Sequence, residues 1–83
     1  MNHKIRIVII RGRSMEPLLT DNDYVYTIST DKYVVGDILV YKYNNEIIIH
    51  RLLQIDKEKD ILLCKGDNAF EIDKIKTSSV IGK

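Results

Sequence analysis

The chain has 83 residues, the size of a single domain with a modest hydrophobic core. Its composition, 45% hydrophobic and 30% charged residues, is that of a folded globular protein and not of a disordered chain. The formal net charge of +1 gives no strong attraction to nucleic acid, and the single cysteine, Cys64, excludes an internal disulfide bond.

Short β-rich segments alternate with turn signals along the whole chain. The predicted strands are KIRIVII (4–10), DYVYTI (23–28), GDILVYKY (36–43), EIIIHRLLQI (46–55), ILLCKG (61–66) and SSVIGK (78–83). Asn44 and Asn45 predict a tight hairpin turn between the third and fourth strands. No window of a dozen residues has an apolar stripe of helical period, so helices should be few or a single turn. We therefore expect a mainly β fold in one domain, 1–83: a small, partly open β-barrel or a pair of curled antiparallel sheets.

The segment RGRSMEPLL, residues 11–19, directly follows the first predicted strand. An exposed turn needs no methionine, and a buried strand accommodates neither these charges nor Pro17. Two interpretations are open: a polar turn held by a buried Met15, or a turn that displays Ser14 for chemistry. A serine hydroxyl is a weak nucleophile unless a neighbouring base accepts its proton.

Two histidines and one lysine are the candidates for that base. His3 lies in the N-terminal tail, where structural order is least expected. His50 lies inside an otherwise apolar predicted strand, where a structural histidine and a general base are both compatible with the pattern. Lys65 lies in a predicted polar loop, and a lysine needs burial to lose its proton at neutral pH.

A carboxylate is normally needed to orient a catalytic imidazole and to stabilise its cation. CKGDNAFEID, residues 64–73, offers Asp67, Glu71 and Asp73 in what we predict to be one loop. Asp67 belongs to a Gly-Asp-Asn sequence that is typical of turns, whereas Asp73 has no comparable local role. Each of these residues is weak evidence by itself.

The order and spacing of four blocks carry a more specific signal. The pattern Gly-x-Ser-Met-x-Pro at residues 12–17, followed by GDILVY, IIIHRLLQI and KGDN, resembles the signal peptidase family. It is most similar to the archaeal and endoplasmic-reticulum branch, in which a histidine stands where bacterial enzymes and self-cleaving SOS repressors carry a lysine. The resemblance extends from about residue 10 to the C-terminal VIGK.

The resemblance implies roles for individual residues. Ser14 would be the nucleophile and His50 the general base, with Asp73 preferred over Asp67 as the residue that orients the imidazole. Asp67 would then shape its loop. A backbone N–H of Ser14 would stabilise the oxyanion. No metal and no cofactor are implied.

The remaining motif residues have supporting roles, and two places depart from the family pattern. Met15 and Pro17 would pack and fix the turn. Gly12 and Arg13 stand where relatives often have a serine and a glycine, so the oxyanion must rely on backbone donors. Asn22 precedes Asp23 where the family usually has Gly-Asp, and asparagine tolerates the left-handed backbone that this turn needs.

The expected function is that of a serine endopeptidase that removes a leader or signal-type segment from a peptide or protein. The alternative is a catalytically inactive peptide-binding module of the same fold. A nucleic-acid-binding barrel that uses the five tyrosines for stacking is the weakest interpretation, because the chain lacks a cationic track. Nucleic acid is therefore not an expected partner. The apolar run IRIVII is too short to span a membrane, so we expect a cytoplasmic location or peripheral attachment, and a membrane-associated protein is the partner that would complete the substrate groove.

Overall fold

The computed structural model describes residues 4–83, so the interpretation of His3 lies outside the described residues. Within this range the strands form two antiparallel sheets, one with strand order β1-β2 and one with strand order β6-β5-β4-β3-β7. A single 3₁₀ turn, Thr77–Ser79, precedes the last strand. The strands are β1 (Ile5–Ile9), β2 (Tyr24–Ile28), β3 (Ile38–Tyr43), β4 (Glu46–Asp56), β5 (Ile61–Lys65), β6 (Ile72–Lys76) and β7 (Val80–Gly82).

The two sheets meet along one edge near the C-terminus. Lys83 and Ile28 exchange two backbone hydrogen bonds of 3.0 and 3.1 Å, and the Thr27 hydroxyl donates to the Lys83 carbonyl. Gly82 lies at this junction, where a Cβ atom would come within 2.8 Å of Thr27 Oγ1. The prediction of a mainly β fold with curled antiparallel sheets is confirmed, and the sheets do not close into a barrel.

The tight turns follow the asparagines that the sequence provides. Asn44 and Asn45 have φ angles of 51° and 66°, as the two central residues of a type I′ hairpin turn require. Asn22 has a φ of 73°, so it adopts the left-handed conformation expected of it. The hairpin between β3 and β4 is therefore confirmed.

The prediction that residues 64–73 form one loop is wrong at both ends, because residues 64–65 end β5 and residues 72–73 begin β6. Asp73 lies on β6, which the sequence analysis did not predict, and its partner across the sheet is Cys64 of β5. In β6 only Ile75 is buried, while the charged residues on either side of it hide the alternation of a strand. The strand forms because β5 offers it a complete pairing edge.

The hydrophobic core lies on one face of the five-stranded sheet. Alternation along neighbouring strands brings its side chains to the same side. Tyr41 and Cys64 belong to this core although the side chains of both carry a polar group. The core residues are Leu39, Tyr41, Leu52, Leu62, Cys64 and Ile75.

Candidate active site

The segment after β1 forms a compact loop that presents Ser14. Gly12 has a φ of 82°, a left-handed conformation that glycine adopts without a steric penalty, and its N–H donates to Asp21 Oδ1 at 2.8 Å. The Glu16 N–H donates to the Arg13 carbonyl at 3.1 Å and closes a turn around the serine. The glycine of the motif therefore directs the path of the backbone, and Ser14 is the second residue of the turn that follows.

Met15 and Pro17 differ in their surroundings. Met15 is buried, and its Sδ accepts the N–H of Asp67 at 3.4 Å. Pro17 is exposed and follows a cis peptide bond with Glu16. Met15 thus helps to anchor this loop to the rest of the protein.

Asn68 binds the serine loop from the facing KGDN turn. Its N–H donates to the Ser14 carbonyl at 2.7 Å, and its side-chain Nδ2 donates to the Arg13 carbonyl at 3.0 Å. The Arg13 carbonyl and the Ser14 N–H belong to one planar peptide unit, so this second bond also fixes the direction of that N–H. The KGDN block is recognisable in the sequence, but this role of Asn68 was not predicted from it.

Gly66 leaves room for the two central side chains. A Cβ atom at this position would lie 2.5 Å from the Ser14 carbonyl oxygen and 3.0 Å from His50 Nε2. Both distances are shorter than ordinary contacts of a Cβ atom, so only glycine fits here without displacing the serine loop. The glycine in KGDN is therefore a close-approach residue.

Ser14, His50 and Asp73 form a continuous hydrogen-bonded series. His50 Nε2 lies 3.1 Å from Ser14 Oγ, and His50 Nδ1 lies 2.8 Å from Asp73 Oδ2. The His50 and Asp73 side chains are only 12% and 13% exposed, which strengthens their electrostatic interaction relative to that in water. These distances are those of a nucleophile, a base and an orienting carboxylate.

Asp67 is not part of that series. Both of its carboxylate oxygens accept hydrogen bonds of 2.8 Å from Arg51, which also donates to the Gly36 carbonyl. The hydrogen bonds from Arg51 hold the pKa of the Asp67 carboxyl below its usual range. The structure thus brings Asp73, and not Asp67, to the imidazole.

Tyr41 is a further polar group at the site, and no catalytic role was predicted for it from the sequence. Its hydroxyl lies 2.5 Å from Asp73 Oδ2 and 3.1 Å from His50 Nδ1. Burial, followed by the hydrogen bond with Asp73, raises the pKa of Tyr41. The alternation of GDILVYKY indicates the face of the strand but not which residues of other strands share it.

Cys64 and Lys65 are not placed to replace Ser14 as nucleophile or His50 as base. Cys64 is fully buried, and its burial raises the pKa of the thiol to about 11, so the thiol stays protonated at neutral pH. Lys65 ends β5 and, as the next residue, projects from the opposite face of the sheet. Among residues 4–83, no group of three or more His, Cys, Asp or Glu side chains is arranged to hold a metal ion.

A groove leads to Ser14 between two strands. It is lined by residues 8–11, 14–15 and 47–50. On β4, only residues 51–56 are paired by β5, and β1 is paired by β2 on one side alone. Within the described part of the chain both walls of the groove therefore present unpaired backbone edges. An extended peptide can add to such an edge through main-chain hydrogen bonds.

A serine, a histidine and an aspartate in this order, beside open strand edges, have the arrangement of a serine-type peptidase. Comparison with known proteins gives the family: the chain belongs to the Peptidase S24-like family, which matches residues 1–83. The signal-peptidase-like family that the motif blocks predict is thereby confirmed.

Curated relatives are similar over most of this chain. The signal peptidase complex catalytic subunit SEC11 of Komagataella phaffii is 38% identical over 77 residues, which cover 81% of this chain and 45% of the relative. SEC11 of Candida albicans is 39% identical over 67 residues, covering 75% of this chain and 40% of the relative. The chain thus spans less than half the length of these relatives. No solved structure matches the chain with significance.

Proposed function

We propose that this chain is a serine endopeptidase that cleaves a leader or signal-type segment from a peptide or protein. The observation that carries this proposal is the series Ser14 Oγ, His50 Nε2, His50 Nδ1 and Asp73 Oδ2, with distances of 3.1 and 2.8 Å at its two junctions. The names of the similar SEC11 proteins, signal peptidase complex catalytic subunits, support a signal-type substrate.

In the proposed mechanism His50 Nε2 accepts the hydroxyl proton while Ser14 Oγ attacks the scissile carbonyl. Asp73 accepts the Nδ1 proton in a hydrogen bond and stabilises the imidazolium that forms. The Ser14 N–H, oriented through the Asn68 bond to the Arg13 carbonyl, donates to the oxyanion. His50 then returns the proton to the leaving amine, and water hydrolyses the acyl-enzyme by the same steps.

A mixture of random peptides tests this function even while the natural substrate is unidentified. We expect cleavage within peptide segments that can adopt an extended conformation. The residues before the scissile bond should be small, which is the preference that the resemblance to signal peptidases implies. The measurement is mass spectrometry of the mixture before and after incubation with the protein. If peptides bind without any cleavage, the inactive peptide-binding module becomes the better account.

We further propose that the chain works at the cytoplasmic side of a membrane, attached peripherally, together with a membrane-associated protein. The word "complex" in the names of its relatives supports a protein partner. No helix among residues 4–83 is long and apolar enough to cross a membrane. The attachment surface that we propose is the apolar face of β1 and β2, whose side chains are between 44% and 68% exposed. It consists of Ile5, Ile7, Ile9, Tyr24, Tyr26 and Ile28.

An anionic lipid surface fits the charge beside this apolar face. Lys4, Arg6 and Arg11 lie in or next to β1, and no acidic residue occurs between positions 4 and 11. Isoleucine and tyrosine side chains bury in the interfacial region of a bilayer, while basic side chains are attracted to anionic headgroups. Lys4 and Arg6 alternate with the isoleucines and so flank the apolar face from the reverse side of β1, and the two-stranded sheet as a whole combines both contributions to peripheral binding.

Vesicle binding should depend on this face. We expect the protein to co-sediment with vesicles that contain anionic lipid, and the double variant Ile7→Ser, Tyr26→Ser to bind at least about tenfold more weakly because it loses apolar area. Val34→Ser is the matched control, since Val34 is 65% exposed but lies outside this face. Equal binding by all three proteins, or self-association through the face without vesicle binding, would overturn the attachment proposal.

A further inference from the structure

Two polar groups of the site converge on one carboxylate oxygen. Asp73 Oδ2 lies 2.8 Å from His50 Nδ1 and 2.5 Å from the Tyr41 hydroxyl. Tyr41 is fully buried, so its hydroxyl has no access to bulk water as an alternative partner. A buried hydroxyl with a charged acceptor at this distance forms a strong hydrogen bond.

The sheet builds this convergence from three strands. Tyr41 on β3 lies opposite Ile48 of β4, and His50 follows two residues later on the same face. Asp73 on β6 lies opposite the buried Cys64 of β5. The tyrosine therefore reaches across the core to the same oxygen that faces the imidazole.

The proton positions follow from counting donors. The Tyr41 hydroxyl has one proton, and burial together with Asp73 raises the pKa of this group, so the proton is retained around neutral pH. The closer and charged acceptor is Asp73, not His50 Nδ1 at 3.1 Å. If the hydroxyl donates to Asp73, Nδ1 must carry its own proton toward the same oxygen, and Nε2 is left as the acceptor for Ser14.

On the basis of the proposed peptidase function, we propose that Tyr41 is a positioning residue that donates its hydroxyl proton to Asp73 and thereby fixes the His50 tautomer and limits its basicity. The hydroxyl holds Oδ2 against Nδ1 and neutralises part of the negative charge that the imidazole faces. A base of moderate strength accepts the serine proton and also returns it to the leaving group.

The other titratable groups around His50 and Asp73 keep their charges when only the hydroxyl is removed. Asp67 interacts electrostatically with His50 but is compensated by Arg51, with which it forms two hydrogen bonds. Cys64 faces Asp73 from β5 as a protonated thiol; its hydrogen bond with Tyr41 lowers the thiol pKa, so the thiol stays neutral when that bond is removed. A change in His50 titration on removal of the hydroxyl therefore reports the Tyr41 contact.

The test is ¹⁵N NMR of the histidine ring in a protein that carries His3→Gln, in which His50 gives the only histidine signals. We expect neutral His50 to carry its proton on Nδ1. In the Tyr41→Phe variant, the midpoint of the ring titration should move to higher pH by roughly one unit, because the carboxylate regains the charge that the hydroxyl had compensated. The matched control is Tyr43→Phe, since Tyr43 is a ring neighbour of Tyr41 at 6.5 Å.

The possible outcomes separate this inference from the proposed function. A proton on Nε2 in the unsubstituted site, or an unchanged midpoint in a folded Tyr41→Phe protein, would overturn the role of Tyr41 whether or not the protein cleaves peptides. The tautomer measurement needs no substitution at Tyr41, so a Tyr41→Phe protein that fails to fold leaves the inference testable. In an active enzyme, the rising limb of kcat/KM against pH should shift in the same direction.

Discussion

Ser14→Ala is expected to lower kcat for peptide cleavage by about 10⁴-fold or more while the protein stays folded. The substitution removes only Oγ, whose interaction in the site is with His50 Nε2 at 3.1 Å. Without Oγ no acyl-enzyme forms, and His50 has no proton to accept. Single-turnover cleavage of a peptide identified from the random mixture measures the loss, and thermal unfolding measures whether the fold is retained.

Ser78→Ala is the matched control for this substitution. Ser78 lies exposed in the 3₁₀ turn before β7, away from the groove, so its replacement should leave cleavage unchanged. Peptide binding to Ser14→Ala, followed by fluorescence anisotropy, should survive because the strand edges of the groove are intact. Undiminished cleavage by Ser14→Ala would mean that another group, or a contaminating peptidase, performs the reaction.

The sequence carries local information well, and the hairpins show why. Asn44 and Asn45 determine a turn whose backbone angles few other residues adopt, so the β3–β4 pairing was predictable from two residues. The serine loop was recognisable because its glycine, methionine and proline follow one another within six positions. Such signals depend on neighbouring residues along the chain, and they can be interpreted before the strand order is determined.

The rest of the site depends on strand order, which local patterns do not encode. β6 was missed because its charged residues mask the alternation, although it carries Asp73. Tyr41 and Asp73 are separated by 32 positions in sequence, and their contact requires that β6, β5, β4 and β3 lie side by side. Asn68 and Gly66 likewise acquire their roles only where the KGDN turn folds against the serine loop.

Replacement of each aspartate by asparagine separates their roles. Asp73→Asn should lower kcat by about 10³- to 10⁴-fold with little change in KM, because an amide that donates to Nδ1 forces the proton onto Nε2 and leaves Ser14 without a base. Asp67→Asn should lower kcat by less than about tenfold, because Asp67 forms its hydrogen bonds with Arg51 and not with the imidazole. Steady-state kinetics of both variants on one peptide makes the comparison.

The stability that the Arg51–Asp67 ion pair contributes provides an independent check on the role assigned to Asp67. Arg51 holds the folded pKa of Asp67 below its ordinary value of 3.8, so the ion pair stabilises the fold above that value and the contribution is lost as the pH falls through the lower folded value. Asp67→Asn should therefore cost about 0–1 kcal/mol at neutral pH and nothing in strong acid, as measured by urea unfolding. If instead Asp67→Asn abolished cleavage and Asp73→Asn did not, the orienting carboxylate would be Asp67, and the loop would have to rearrange during catalysis to bring it to His50.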